Sequence, residues 1–213
     1  MSHTHREYLP AAGSDWALPF YDLIVKWLGG EAARKELLDQ ALLQPGQRIL
    51  DVGCGTGTMA IAVKRATQQV EVIGIDPDPK ALRRARDKAV KAGVSIQLDQ
   101  GFADELPYAD ASFDRVFSSF MFHHLPAEDR SKALRAMRRV LKTGGSLHLV
   151  DFEGPEDGRP TFLQRLFHHS DRLKDNSERR VLELMREAGF ANSSKLSRRK
   201  MPMGWIGYFR AQV

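Results

Sequence analysis

The sequence predicts an α/β domain in which helices cover both faces of a doubly wound, mostly parallel sheet. Short apolar runs alternate with amphipathic segments along most of the chain, which is typical of successive strand–helix–strand units. The first run, Ile49 to Val52, leads into a glycine-rich turn, Gly53-Cys54-Gly55-Thr56-Gly57. The length of 213 residues suits a single domain, and no internal repeat divides it. We therefore predict one domain, 1–213.

The first half of the predicted sheet contains three short strands. They are apolar or alternating runs separated by turn residues, and they cover 48–52, 70–75 and 95–99. The glycine-rich turn begins a helix over 57–66. Pro79 is well placed to begin a second helix over 79–92, and Gly93 is a stop signal for it.

The second half begins after the turn-like segment 108–112. A strand is predicted over 113–120 and an amphipathic helix over 127–141, which we expect Gly144-Gly145 to end. The run 147–152 is apolar enough for a central strand. A helix over 178–188 and two strands, 193–199 and 206–212, complete the pattern.

Two segments lie outside this alternation. Residues 1–44 contain aromatic and apolar positions, such as Trp16 and Tyr21, and are predicted to form a helical cover over a pocket. Residues 153–177 form a predicted substrate-cover insert with an amphipathic helix over 161–172. The remaining divisions are a cofactor-binding core, 45–152, and a C-terminal helix with edge strands, 178–213.

The amino-acid composition and charge restrict the kinds of partner that the chain is expected to bind. The net charge is +5, but the basic residues are spread along helices and lack interleaved aromatic residues, which disfavours nucleic acid. An anionic substrate or contact with an acidic membrane surface stays open. The chain has no apolar run of membrane-spanning length, no apolar core of a secretory signal and one cysteine, so we predict a cytoplasmic protein. Its oligomeric state is not predictable.

The glycine-rich turn and two acids predict a pocket for an adenosine-containing cofactor. Glycines let the backbone approach a ligand closely, and Asp76, which ends the second strand, suits ribose hydroxyls. The glycine spacing is G-x-G-x-G, whereas a nicotinamide fingerprint places its third glycine where Thr58 stands. Asp51 would repel a pyrophosphate but attract a ligand that carries an ammonium and a sulfonium, as S-adenosylmethionine does.

These residues, with others in order behind them, resemble the class I S-adenosylmethionine-dependent methyltransferases, in particular the small single-domain type of quinone-biosynthesis and small-molecule enzymes. The resemblance covers roughly 45–152 and includes 51–57, Asp76, 101–108, 112–114, 123–125 and 141–147. It implies a Rossmann-like, seven-stranded sheet with an antiparallel C-terminal edge hairpin. It also implies S-adenosylmethionine as methyl donor and S-adenosylhomocysteine as product.

Cofactor contacts are assigned to three strand ends and the start of the fourth loop. Asp51 is placed at the amino-acid end of the cofactor and Asp76 at the ribose. The third segment reads Gly101-Phe102-Ala103, so Phe102 stands where the family commonly has Asp, and it either stacks on the adenine or fills core space. The full predicted cofactor set is Asp51, Gly53, Cys54, Gly55, Gly57, Asp76, Pro77, Phe102, Ala103, Asp104, Ser118 and Ser119.

His123 is the predicted catalytic residue, because an imidazole near the reacting carbon can remove a proton from the acceptor. The alternative is that His123 only shapes the pocket. The predicted acceptor wall consists of Tyr21, Phe120, His124, Phe162 and Leu166. No metal site is predicted, since His123, His124, His168 and His169 lack an evident ligand arrangement.

The predicted function is methyl transfer to a small, apolar or amphipathic acceptor by in-line displacement. Such a reaction needs alignment of the acceptor rather than a nucleophile motif. The sequence does not choose among oxygen, nitrogen and carbon acceptors. Two alternatives stay open, a non-catalytic protein that binds the cofactor and a nicotinamide-dependent oxidoreductase.

Overall fold

The computed structural model describes residues 29–154, 176–202 and 204–213. These residues form one seven-stranded sheet in the order β3-β2-β1-β4-β5-β7-β6. The strands are β1 Arg48–Val52, β2 Glu71–Asp76, β3 Gln97–Gln100, β4 Phe113–Ser119, β5 Leu141–Phe152, β6 Asn192–Met201 and β7 Gly204–Gln212. β1 to β5 are parallel, whereas β7 is antiparallel to both β5 and β6. The predicted fold class, including the antiparallel edge hairpin, is confirmed.

Helices flank this sheet on both faces. They are α1 Gly30–Ala41, α2 Thr58–Ala66, α3 Pro79–Ala92, α4 Ala127–Val140 and α5 Glu178–Glu187, with a short 3-10 turn at Phe122–His124. α1 and α2 pack on one face, and α3 lies beside α2 over β2 and β3. α4 and α5 pack on the other face. The predicted elements within the described residues are present, and their ends differ by at most two residues, except that β5 begins at Leu141, six residues before the predicted start. The helix predicted over 161–172 lies outside the described residues.

Local signals explain where α3 begins and ends. The Asp78 carboxylate accepts a hydrogen bond from the Lys80 amide at 2.7 Å, and Pro79 occupies the first helical position, where its missing N–H costs nothing. Gly93 ends the helix with φ 65°, in the left-handed region that glycine tolerates best. Both ends of this helix were therefore predictable from the sequence.

The predicted end of α4 is wrong. The helix ends at Val140, and Leu141 already belongs to β5, opposite Phe113. Leu141 is extended and buried, so pairing and burial outweigh continuation of the helix. Gly144, with φ 77°, and Gly145 lie within the long β5 strand, at a shift in its pairing with β4. The glycines thus accommodate a bulge rather than a helix cap.

Apolar burial on both faces of the sheet holds the layers together. On one face Phe117, Val150 and Tyr208 pack under Leu37 of α1 and Met59 of α2. On the other face apolar residues of β4 and β5 pack against α4 and α5. Each fully buried large side chain contributes about 1.5–3 kcal/mol relative to exposure. The carboxyl ends of the parallel strands, including β1, β2, β4 and β5, open at a common edge, which is where ligands bind in such sheets.

Candidate functional site

The loop after β1 is held open by three left-handed glycines. Gly53, Gly55 and Gly57 have φ values of 70°, 52° and 75°. The amides of Gly53 and Cys54 both donate to the Ile75 carbonyl, at 2.9 and 3.1 Å, and fasten the loop to the end of β2. The loop is therefore a fixed part of the sheet edge.

The three glycines differ in what surrounds them. A Cβ on Gly53 would collide with the side chain of Met121, and a Cβ on Gly57 would lie 2.9 Å from the Ala85 Cβ. A Cβ on Gly55 would meet no atom of the described chain within 4 Å. Gly55 is thus the glycine beside open space, where a ligand can approach the backbone.

Asp76 links this loop to the turn after β2. Its carboxylate accepts hydrogen bonds from the amides of Gly55 at 2.8 Å and Asp78 at 2.9 Å. Burial raises the pKa of Asp76 to about 6 against the opposing effect of these two amide donors. A carboxylate has about four acceptor positions, so these two bonds leave capacity for ribose hydroxyls.

Asp51 is fully buried below the loop. One carboxylate oxygen accepts a hydrogen bond from the Ala60 amide in the first turn of α2 at 3.1 Å. The other oxygen has no hydrogen-bond partner among the described residues. Burial raises the pKa of Asp51 to about 7, Arg34 and the Ala60 amide act in the opposite direction, and Asp76 adds to the rise. An acid in this state has a strong electrostatic preference for a cationic neighbour.

Arg34 of α1 lies at the same place and was not predicted from the sequence. Its guanidinium lies 5.4 Å from the centre of the Phe120 ring, and its charge acts on Asp51. Its Nε is buried without a partner in the described part of the chain. In the sequence Arg34 is one basic residue in an N-terminal helix, so only the packing of α1 identifies it.

The ends of β2 and β3 meet on the other side of Asp76. The Gly101 amide donates to the Asp76 carbonyl at 3.2 Å, and the Gln100 side-chain amide donates to the Pro77 carbonyl at 3.1 Å. Phe102, Ala103 and Asp104 follow in a partly exposed turn. These predicted adenine contacts therefore lie next to Asp76, the predicted ribose contact.

The surroundings of Cys54 suit a structural role rather than a catalytic one. Its thiol is buried and lies where a Cβ on Gly74 would be 2.9 Å from Sγ. Burial, with Asp51 and Asp76 nearby, raises the pKa of the thiol well above its usual value. A neutral, buried thiol is a poor nucleophile, so Cys54 contributes its small size and its backbone to the loop.

The loop after β4 begins with an unusual backbone conformation. Phe120 has φ 57°, which is uncommon outside glycine, and its ring is buried with Phe152 at 5.4 Å. Ser118 is fully buried, and its hydroxyl has no partner within the described ranges, while Ser119 is partly buried. The turn redirects the chain so that Met121 covers Gly53 and the two histidines follow.

His123 forms a buried pair with Asp151 at the end of β5. The imidazole Nδ1 lies 2.5 Å from one Asp151 oxygen, and the His123 amide donates to the other at 3.0 Å. Burial acts to raise the pKa of Asp151, but the His123 charge and the hydrogen bonds outweigh it and hold the pKa below its usual value. His124 stacks beside His123 with ring centres 4.0 Å apart. Asp151 was missed, although an acid that ends an apolar strand was an available signal.

Comparisons with known proteins agree with this geometry. A family model described as a methyltransferase domain matches residues 49–145. The demethylmenaquinone methyltransferase of Deinococcus radiodurans is 41% identical over 152 residues, 70% of this chain and 62% of that enzyme. The demethylmenaquinone methyltransferase of Thermus thermophilus is 35% identical over 152 residues, 70% of this chain and 68% of that enzyme. The chain belongs to the class I S-adenosylmethionine-dependent methyltransferases.

The fold of this chain is found in solved structures as well. The crystal structure of the YcgJ protein of Bacillus subtilis superposes with a TM-score of 0.69 at 22% identity, over 84% of this chain and 97% of that one. At 22% identity this similarity shows a shared fold and nothing about function. The predicted family and its cofactor, S-adenosylmethionine, are confirmed, and neither alternative function has support among these relatives. The chain spans less than two thirds of the length of its Deinococcus relative.

Part of the predicted acceptor wall lies outside the described residues, namely Tyr21, Phe162 and Leu166, as do His168 and His169. The role of each predicted site residue stays a prediction. Within residues 29–154, 176–202 and 204–213, no three His, Cys, Asp or Glu side chains form a metal-binding group. In the same ranges, no helix is both long enough and apolar enough to cross a membrane.

Proposed function

We propose that the methyltransferase transfers the methyl group of S-adenosylmethionine to a small-molecule acceptor. The observation that carries the proposal is the crevice at the ends of β1 and β2, where open space beside Gly55 adjoins Asp76 and the buried Asp51. Unpaired buried polar atoms on Asp51 and Arg34 suit a ligand that brings its own charges. When bound, the cofactor supplies a sulfonium-activated methyl group.

Each end of the crevice would hold a different part of the cofactor. Asp76 would accept the ribose hydroxyls, and the Gly53 and Gly55 backbone would contact the amino-acid part. Asp51 would pair with the ammonium and Arg34 with the carboxylate, because the two residues carry opposite charges and the charge of Arg34 acts on Asp51. Around the adenine we propose Pro77, Phe102, Ala103 and Asp104, and as the remaining contacts Cys54, Gly57, Ser118 and Ser119.

The acceptor we propose is an amphipathic, quinone-type molecule. Two relatives named above are demethylmenaquinone methyltransferases, and they match about two thirds of this chain. Phe120, His124, Tyr21, Phe162 and Leu166 would form its wall. A cytoplasmic location and contact with an acidic membrane surface belong to the same proposal, since such an acceptor has an apolar part.

His123 would act as the general base for this acceptor. In this role the imidazole Nδ1–H would donate to the Asp151 carboxylate 2.5 Å away, which would fix the ring and make Nε2 the basic nitrogen. Asp151 would be a positioning residue that also stabilises the imidazolium after proton removal. Quinol hydroxyl and ring C–H acceptors both have to lose a proton, so this pair serves either regiochemistry.

Measurements of cofactor binding and of methyl transfer together test the proposal. Calorimetry should detect S-adenosylmethionine and S-adenosylhomocysteine but not NADH, and labelled S-adenosylmethionine should transfer its methyl group to a reduced demethylmenaquinone analogue. Asp76→Asn should weaken cofactor binding roughly tenfold or more, since hydrogen bonds to a charged group are lost. Asp87→Asn, at an exposed carboxyl on α3, is the matched control. NADH binding in place of S-adenosylmethionine, or binding without transfer to any acceptor, would overturn it.

The role of the histidine pair has a separate test. Asp151→Asn should lower kcat roughly 10- to 100-fold, by analogy with other residues that orient a histidine, with little change in cofactor affinity. Calorimetry should show an unchanged Kd for S-adenosylmethionine while kcat falls, because Asp151 contacts His123 and not the cofactor crevice. A lower kcat that comes with equally weakened cofactor binding would indicate that Asp151 only holds the loop.

A further inference from the structure

A second polar cluster lies on the sheet face that α1 covers. Arg115 of β4 is opposite Ser146 of β5, and His148 of β5 is opposite Arg210 of β7. Directly opposed residues share a face with Cβ atoms about 4.5–5.5 Å apart. These four residues, here named the basic cluster, are therefore immediate neighbours on three adjacent strands.

The basic cluster is unusual for the interior of this sheet. The same strands present apolar residues to the opposite face, including Val116, Leu147, Leu149 and Ala211. α1 covers the cluster's face only as far as Ala41, whose carbonyl accepts from Arg115 Nε at 3.3 Å. The structure thus places polar residues where the described part of α1 ends.

Two buried atoms of the basic cluster lack partners. His148 is 1% exposed, its Nε2 lies 3.0 Å from Ser146 Oγ, and its Nδ1 has no hydrogen-bond partner in the described ranges. Arg210 Nε is likewise buried and unpaired. A buried polar group without a hydrogen-bond partner destabilises the fold, so each of these atoms favours a ligand that pairs with it. If the Ser146 hydroxyl donates to Nε2, then Nδ1 carries the proton and both orphaned nitrogens are donors.

No ion pair within the described ranges holds an arginine of the basic cluster. In the described part of the chain neither Arg115 nor Arg210 forms an ion pair, and the nearby Asp114 carboxylate is taken by the Arg48 amide and Lys142. Burial and the charges of Arg210 and Arg115 lower the pKa of His148 to about 3. Burial and Arg210, opposed by Asp114, also lower the pKa of Arg115. The cluster therefore combines positive charge with unused N–H donors.

We propose that the basic cluster binds a tetrahedral oxyanion of the phosphate type. Two arginines and one histidine occupy neighbouring register positions on three strands. A phosphate carries a charge of about −2, which balances two guanidinium groups, whereas a carboxylate carries only one negative charge. Ser146 and His148 precede Asp151 by several residues along β5, so this site lies roughly 10 Å or more from the methyl-transfer crevice at a rise of about 3.3 Å per residue. It is independent of the proposed function.

Ligand titration with charge-matched variants tests this site. Inorganic phosphate, glycerol 3-phosphate and acetate are titrated at constant ionic strength into the full chain, with binding followed by calorimetry and melting temperature. Arg210→Gln should weaken phosphate binding roughly tenfold, because one charge-assisted contact is lost. Arg83→Gln, which removes an exposed charge on α3, should bind as the unmodified chain does. Arg115 is left intact because it also contacts α1.

The three ligands distinguish phosphate from other anions, and the two variants show whether the basic cluster binds it. Binding of phosphate but not glycerol 3-phosphate would identify free phosphate as the ligand, and binding of both would extend the site to organic phosphomonoesters. Equal responses of Arg210→Gln and Arg83→Gln, or equal responses to acetate and phosphate, would overturn the proposal. Should Arg210→Gln fail to fold, ¹H–¹⁵N spectra of the His148 ring in the unmodified chain decide. Phosphate must shift the Nδ1 resonance, and an unmoved resonance rejects the site.

Discussion

Asp51 is a buried acid with a raised pKa in the proposed cofactor crevice. It is buried, one of its oxygens is bound by the Ala60 amide, and the other has no partner among the described residues. With its pKa raised to about 7, Asp51 is partly protonated near neutral pH in the absence of a ligand. A cationic ammonium would favour the ionised form, so cofactor binding and deprotonation are expected to be coupled.

The same carboxyl predicts a pH-dependent stability. In the unfolded chain Asp51 ionises near its ordinary pKa of 3.8, whereas in the folded chain it ionises at about 7. Between these values the folded state binds more protons, so the free energy of unfolding falls as pH rises through this window. Asp51→Asn removes that dependence. Relative to the unmodified chain, the variant should gain about 2–3 kcal/mol between pH 5 and pH 8.

Urea unfolding at these two pH values measures the difference. Asp87→Asn is the control, because it makes the same chemical change at an exposed site on α3. A stability difference between Asp51→Asn and the unmodified chain that does not change with pH would show that the buried carboxyl titrates normally.

At the scale of secondary-structure elements, the glycine loop has two positions at which a Cβ would be unfavourable for different reasons. Gly57 has φ 75° and faces Ala85 of α3, while Gly55 has φ 52° and faces open space. Gly57→Ala combines backbone strain with overpacking and should lower the free energy of unfolding by about 2–4 kcal/mol. Gly55→Ala should cost only the backbone strain, about 1–2 kcal/mol, but it would place a methyl group where we propose that the cofactor approaches.

The two variants are each other's controls. Urea unfolding should rank Gly57→Ala as the less stable, and calorimetry should rank Gly55→Ala as the weaker binder of S-adenosylmethionine. If Gly57→Ala keeps less cofactor affinity than Gly55→Ala under folding conditions, the open space beside Gly55 is not the cofactor crevice.

Element ends were predictable where local chemistry decides them. Asp78, Pro79 and Gly93 determine α3 through bonds and dihedral angles within a few residues of each end. The end of α4 was not predictable in this way. Leu141 takes an extended conformation because Phe113, 28 positions earlier, offers a pairing partner and the core buries its side chain.

For the whole molecule, α1 joins the N-terminal part of the chain to the sheet and to the crevice. Leu37 is fully buried against the sheet, and the charge of Arg34, one turn earlier, acts on Asp51. Leu37→Ala should lower the free energy of unfolding by about 2–5 kcal/mol through the cavity that it leaves. Because α1 positions Arg34, the variant should also weaken S-adenosylmethionine binding.

Leu42→Ala is the matched control for this helix. Leu42 follows α1 directly and is 70% exposed, so its truncation removes little buried surface. Thermal unfolding and calorimetry on both variants separate the effects. A stable Leu37→Ala protein with full cofactor affinity would mean that α1 does not support the crevice.

The sequence by itself determined the sheet, most of the helices, the cofactor class and the place of Gly55 and Asp76, because strand periodicity, glycine spacing and strand-end acids are local patterns. Only the tertiary structure brought Arg34 to Asp51, joined His123 to Asp151 and gathered the basic cluster from three strands. Those contacts depend on how layers pack and strands pair across tens of residues. Burial and unpaired donors exist only after the chain has folded, so no local pattern encodes them.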